Sequence, residues 1–148
     1  MAETGFSLAS AAAERLGGSG SIGFEIRTDA DLVKAVEAGF RTESLAALAA
    51  GGVSDQEIAA LVINPRTLSH RRAKGERLTV DESDRAARLA RTVALADRTF
   101  ANSDKADRWL HRELRVLDGR RPIDLVRTQV GARIVEDVLM RIAWGAPA

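Results

Sequence analysis

The chain has 148 residues, 45% of them apolar and 29% charged, with a formal net charge of +1. At this length roughly 70% of the unfolded surface is buried on folding, so disorder throughout is excluded, and no apolar run approaches the ~18 residues needed to span a bilayer. The absence of cysteine removes disulfides, zinc ribbons, thiol nucleophiles and iron–sulfur clusters together, and two distant histidines, His70 and His111, do not make a metal site. Glu3 stands where a secretory leader carries basic residues, so a cytoplasmic protein with no membrane partner is expected.

Charge is unevenly spread, with −3 over residues 1–40, +2 over 41–80 and +2 over 81–148. Within 64–77, Arg66, Arg71, Arg72, Lys74 and Arg77 face only Glu76. Such a block is suited to phosphate.

Residues 1–23 are rich in Ala, Gly and Ser and run through Gly17-Gly18-Ser19-Gly20-Ser21, which reads as a flexible arm. Leu32, Val33 and Val36 then mark a short helix stopped by Gly39. Thr42 is expected to cap the next helix, which buries Leu45 and Leu48 and ends at Gly51-Gly52. Ser54-Asp55-Gln56-Glu57 is a capping box for a third helix, reaching about Val62. Asn64 as cap and Pro65 at the first helical position start a fourth, which runs to Lys74 and stops at Gly75. Two helices joined by a short turn, the second one basic, form a helix-turn-helix pattern within a DNA-binding region spanning 24–80.

On the basic helix, Leu68 and Ala73 are expected to face the core. The candidate DNA contacts are Arg66, Thr67, Ser69, His70, Arg71, Arg72 and Lys74, because Arg and Lys neutralise phosphates, Ser and Thr donate to them, and Arg grips guanine bidentately. The alternative is a basic helix that touches only water.

After Thr79, Ala86, Leu89, Val93, Ala96 and Phe100 draw one apolar seam down a long helix starting near Asp81. The seam is either core or a helix pair between chains, and a homodimer is expected through Leu89, Val93 and Ala96 or through the C-terminal helices of 81–148. Ser103 is expected to cap a helix carrying Trp109 and Leu110, and Asp118-Gly119 and Pro122 mark a turn. In the last helix Val130, Ile134, Val138 and Ile142 step by four beside Val135 and Leu139, before Gly145 ends it. Trp109 and Trp144 read as anchors, Trp144 near the chain end as a candidate hot spot. Phe24–Arg27 allows one short extended segment, and otherwise no alternation of period two persists, so the fold is all-α. The carboxylate pairs Glu136-Asp137 and Asp104/Asp107 read as solvated faces, and the glycine-rich segment lacks the lysine of a phosphate loop. No catalytic constellation and no cofactor site emerges.

Taken together, Lys105-Ala106-Asp107-Arg108-Trp109-Leu110, Gly119-Arg120-Arg121-Pro122-Ile123-Asp124-Leu125, Thr128-Gln129-Val130-Gly131-Ala132 and Val135-Glu136-Asp137-Val138-Leu139-Met140-Arg141-Ile142 resemble the Xre/MbcA/ParS antitoxin family, the partners of RES-domain toxins. The N-terminal part is similar through Pro65-Arg66-Thr67-Leu68, Arg71-Arg72, Gly75, Leu78 and Glu82-Ser83. The sequence departs from the family pattern in three places: His111–Gly119, the turn at Val62-Ile63, which lacks a glycine, and Ala101-Asn102 where Gly-Asp is usual, a change expected to be minor. The resemblance implies a non-enzymatic, dimeric antitoxin that binds its own promoter DNA and covers a cognate RES-domain toxin that consumes NAD. It also implies that the C-terminal end reaches the toxin's cleft, with Arg141, Ile142, Trp144, Gly145 and Ala146 as the toxin-binding residues. The rival reading is a stand-alone dimeric helix-turn-helix transcriptional regulator.

Overall fold

The computed structural model describes residues 6–145. Among these the fold is all-α, with an isolated antiparallel bridge between Leu114 and Arg120 and no strand.

The first two helices, α1 (Leu8–Arg15) and α2 (Gly18–Ile22), correct the expectation of a flexible arm over the described part of 1–23. Ser7 caps α1, and Ala9, Ala12, Ala13 and Leu16 lie on one face, all buried. Alanine has the highest helix propensity, and its small side chain lets two backbones approach closely. The partner is the long helix α7 (Val80–Phe100), against which α1 packs. Gly17 enters α2 at φ +90° with Ser21 and Ala47 where its Cβ would be, so the glycines here make a tight corner rather than a linker.

The expected helices over 31–38, 42–50, 54–62 and 64–74 are α3 (Asp29–Ala38), α4 (Glu43–Ala50), α5 (Asp55–Leu61) and α6 (Pro65–Lys74). Ser54 and Glu57 close their capping box, and Asn64 accepts from the Arg66 amide. Thr42 is buried and its hydroxyl caps nothing, which corrects that assignment. Phe24–Arg27 forms no strand; Ile26 is buried and Phe24 half-buried against the core.

Helix α7 is the spine of the molecule. Thr79 and Glu82 close a capping box at its start, and Leu89, Ala90 and Ala96 are fully buried along it. The seam is therefore interior core, and Leu89, Val93 and Ala96 are not free to pair two chains, which corrects that half of the dimer expectation. The C-terminal helices α8 (Ser103–Leu110) and α10 (Gln129–Ala143) pack on α7, and the short α9 (Pro122–Leu125) packs on both of them. Asn102, not Ser103, caps α8, because its side chain reaches the Lys105 amide from an extended backbone. Trp109 is buried and stacks at 45° on Phe100, 5.7 Å between centroids. Thr128 caps α10 by accepting from the Gly131 amide at 3.0 Å.

Candidate functional site

Helix α6 starts well and is bound loosely. None of its residues is fully buried; Leu68 is half-buried against the core, while Ala73, expected inside, is exposed. At 100° per residue, Arg66, Ser69, His70, Ala73 and Lys74 share the outward face, and all are exposed. Ala73 at the middle of that face lets a large partner come close. Arg72 is exposed at its edge and Thr67 is half-buried. Arg66, Arg72 and Lys74 make no ion pair among the described residues.

Arg71 is the exception among the expected DNA contacts. Its guanidinium turns inward, with Nη2 donating to Glu82 Oε2 at 3.0 Å, Nε 2.9 Å from Glu82 Oε1, and Nη1 3.4 Å from Glu76. Burial pushes the Glu82 carboxyl up, but the Thr79 amide and the Arg71 guanidinium outweigh it and hold the group below its ordinary 4.5. Arg71 thus fastens α6 to the start of α7 instead of facing a ligand. Arg85, a turn later, donates to the Val62 carbonyl at 2.8 Å, and the buried Val62 and Ile63 fill the turn that lacks a glycine. Neither tether was visible as a pairing in the sequence, because Arg71–Glu82 spans two helices and a loop.

The second surface is the outer face of α10. Val135, Val138 and Leu139 turn inward, whereas Val130 (71% exposed), Ile134 (44%), Met140 (49%) and Trp144 (84%) are open. The wide apolar stripe of the last helix is thus covered on one side. Val130, Ile134, Arg141 and Trp144 recur at helical spacing and share a face that ends at the C-terminal tail. Ile142, expected at the toxin, is half-buried against this chain's own core. Arg141, Trp144 and Gly145 are exposed, and Ala146 lies outside the described residues.

Between the two surfaces, neighbouring helices are tied by polar contacts. Glu57 on α5 meets His111 at the end of α8, Oε2 to Nε2 2.6 Å, while His111 Nδ1 lies 2.7 Å from the Asp107 carbonyl. Both ring nitrogens face oxygen acceptors, an arrangement that favours the protonated ring. Burial opposes that charge, but the Asp107 carbonyl and the Glu57 carboxylate prevail and raise its pKa above 6.5. Arg15 adds an ion pair to Asp97 and a hydrogen bond to the Gly51 carbonyl at 3.4 Å.

Comparison with known proteins divides the chain at the same spine. Residues 31–91 match the family model described as the antitoxin Xre-like helix-turn-helix domain. Residues 95–145 match that of the antitoxin Xre/MbcA/ParS C-terminal toxin-binding domain. An Antitoxin Xre of Pseudomonas putida is 35% identical over 121 residues, covering 82% of this chain and 76% of that protein. The chain belongs to the Xre/MbcA/ParS antitoxin family. An Antitoxin Xre of Yersinia enterocolitica is 34% identical over 84 residues, 56% of this chain and 57% of that one. Membership makes the chain an antitoxin and helix-turn-helix regulator by class, not an enzyme. Among the described residues, no cluster of candidate ligands could hold a metal and no helix is long and apolar enough to cross a membrane.

Proposed function

We propose that this chain neutralises a NAD-consuming RES-domain toxin by placing its C-terminal tail over the toxin's active site, and represses its own operon through α6. The carrying observation is the open face of α10, which ends in Trp144 at 84% exposure. An exposed large aromatic beside further exposed apolar side chains, Val130 and Ile134, suits an interaction site. A Trp brings roughly 150–250 Å² of contact on few rotatable bonds. Arg141 adds a planar guanidinium suited to carboxylates or to a site that normally holds phosphates. Arg141, Trp144, Gly145 and Ala146 form the plug, and Ile142 holds its base against the fold.

On the DNA side, Arg66, Thr67, Ser69, His70, Arg72 and Lys74 make the contacts. Two half-sites are usually gripped by two copies. With the α7 seam closed, the C-terminal helices remain the proposed pairing surface.

The test is co-purification of the tagged chain with a RES-domain toxin encoded beside it. The whole chain retains the toxin, and Trp144→Ala weakens the complex by about 2 kcal/mol or more, as loss of a hot spot does. Equal retention by Trp144→Ala would remove the tail from the interface.

A further inference from the structure

A second group of cations lies outside both surfaces described so far. Residues 108–121 hold five arginines, Arg108, Arg112, Arg115, Arg120 and Arg121, against two carboxylates, Glu113 and Asp118. Arg121 is paired with Asp124 at 2.9 Å. The other four are exposed and have no ion pair or side-chain hydrogen bond among the described residues. Arg108 lies on α8, and the segment carrying the other three is compact: a single 3-10 turn, Arg115–Leu117, with Asp118 and Gly119 in the left-handed region and the Leu114 amide donating to the Arg120 carbonyl at 3.1 Å. Leu117 pins it to the core.

Its position gives the arginines a partner. The segment begins at His111, whose ring is held 2.6 Å from Glu57 on α5, the first helix of the helix-turn-helix. When the second helix of such a pair enters the major groove, the first crosses the sugar–phosphate backbone. The basic segment therefore flanks the strand on which α5 lies. Glu57 itself would repel phosphate there, but its Oε2 is turned onto the His111 ring. Val116 is the segment's one exposed large apolar side chain among the described residues. Protein interfaces need an apolar centre, whereas contacts to a nucleic-acid backbone are charged and polar.

We infer that Arg112, Arg115 and Arg120, within the toxin-binding domain, contact DNA phosphates flanking the segment read by α6. This rests on the DNA-binding reading above and extends the DNA footprint into the C-terminal half of the chain. Toxin binding and operator binding then share one rigid domain.

The experiment measures binding of the full chain to a duplex carrying the sequence upstream of its own gene, over a range of salt. Each lost phosphate contact lowers the slope of log K against log salt by about 0.9. Arg112→Ala/Arg115→Ala/Arg120→Ala lowers it by about 2.7 and weakens binding at least tenfold at 0.1 M salt. The corresponding triple lysine variant retains the slope, and circular dichroism shows both folded. A duplex trimmed to the segment protected by α6 abolishes the difference between wild type and the alanine variant. An unchanged slope in the alanine variant overturns the inference while leaving α6 as the reader. Loss of toxin capture with an unchanged slope overturns it in favour of a protein contact. Failure of the wild type to bind the duplex, with toxin capture intact, defeats the DNA-binding reading itself.

Discussion

At the scale of single residues, two backbone positions have consequences for stability. Gly131 lies in the first turn of α10 with the Leu125 carbonyl oxygen directly in the path of any Cβ. Gly131→Ala forces backbone apart and is expected to cost ~1–3 kcal/mol, read as a lower midpoint in urea. Ala101 ends α7 at φ +51°, a left-handed conformation that costs a residue with a Cβ roughly 1–2 kcal/mol. The replacement of the usual glycine there is not minor, and Ala101→Gly is expected to raise stability by about 0.5–1 kcal/mol after its larger chain entropy is offset. Arg71 separates positioning from contact. Arg71→Ala leaves the buried Glu82 carboxylate without its partner, costing about 1–3 kcal/mol, and weakens DNA binding with little change in salt slope. Arg66→Ala lowers the slope by about 0.9 at unchanged stability. A matching slope loss in both variants would return Arg71 to the phosphates.

At the scale of elements, His111 ties α8 to α5, and its pKa sets a pH window. The folded pKa lies above the unfolded value near 6.5, so its contribution is fully present below 6.5 and fades as pH rises through the raised folded value. The gap in melting temperature between wild type and His111→Ala should narrow from pH 6 toward alkaline pH. A constant gap would mean the ring is held neutral. The helices α3 to α6 were legible because each carries its own start or stop signal, such as Ser54 with Glu57 or Asn64 with Pro65. Helix α1 was missed because alanine gives no hydrophobic stripe by usual reckoning, although Ala9, Ala12 and Leu16 keep helical spacing. The outward half of α6 was legible from its charge, yet Arg71 was not, since its carboxylate lies eleven residues away on another helix. The openness of Val130 and Ile134 was hidden for the opposite reason: a covered and an uncovered apolar stripe have the same spacing.

At the scale of the molecule, α7 is shared by both halves, its first turns fastening α6 through Glu82 and Arg85 while it also packs on α10, where Arg88 donates to Gln129. The proposed toxin and DNA surfaces are therefore carried by one shared helix. Pairing through the C-terminal helices predicts a dimer by sedimentation at micromolar concentration, and a monomer with tight operator binding would contradict it. The tail can be removed with little harm to the fold, since Trp144 contributes to no core while Ile142 packs on one. The most direct test of the account is the NAD content of cells that express a RES-domain toxin together with this chain, either whole or ending at Ala143. The account predicts that the whole chain preserves NAD, while the shortened one stays folded, still binds DNA and lets NAD fall. Full preservation of NAD by the shortened chain would contradict it.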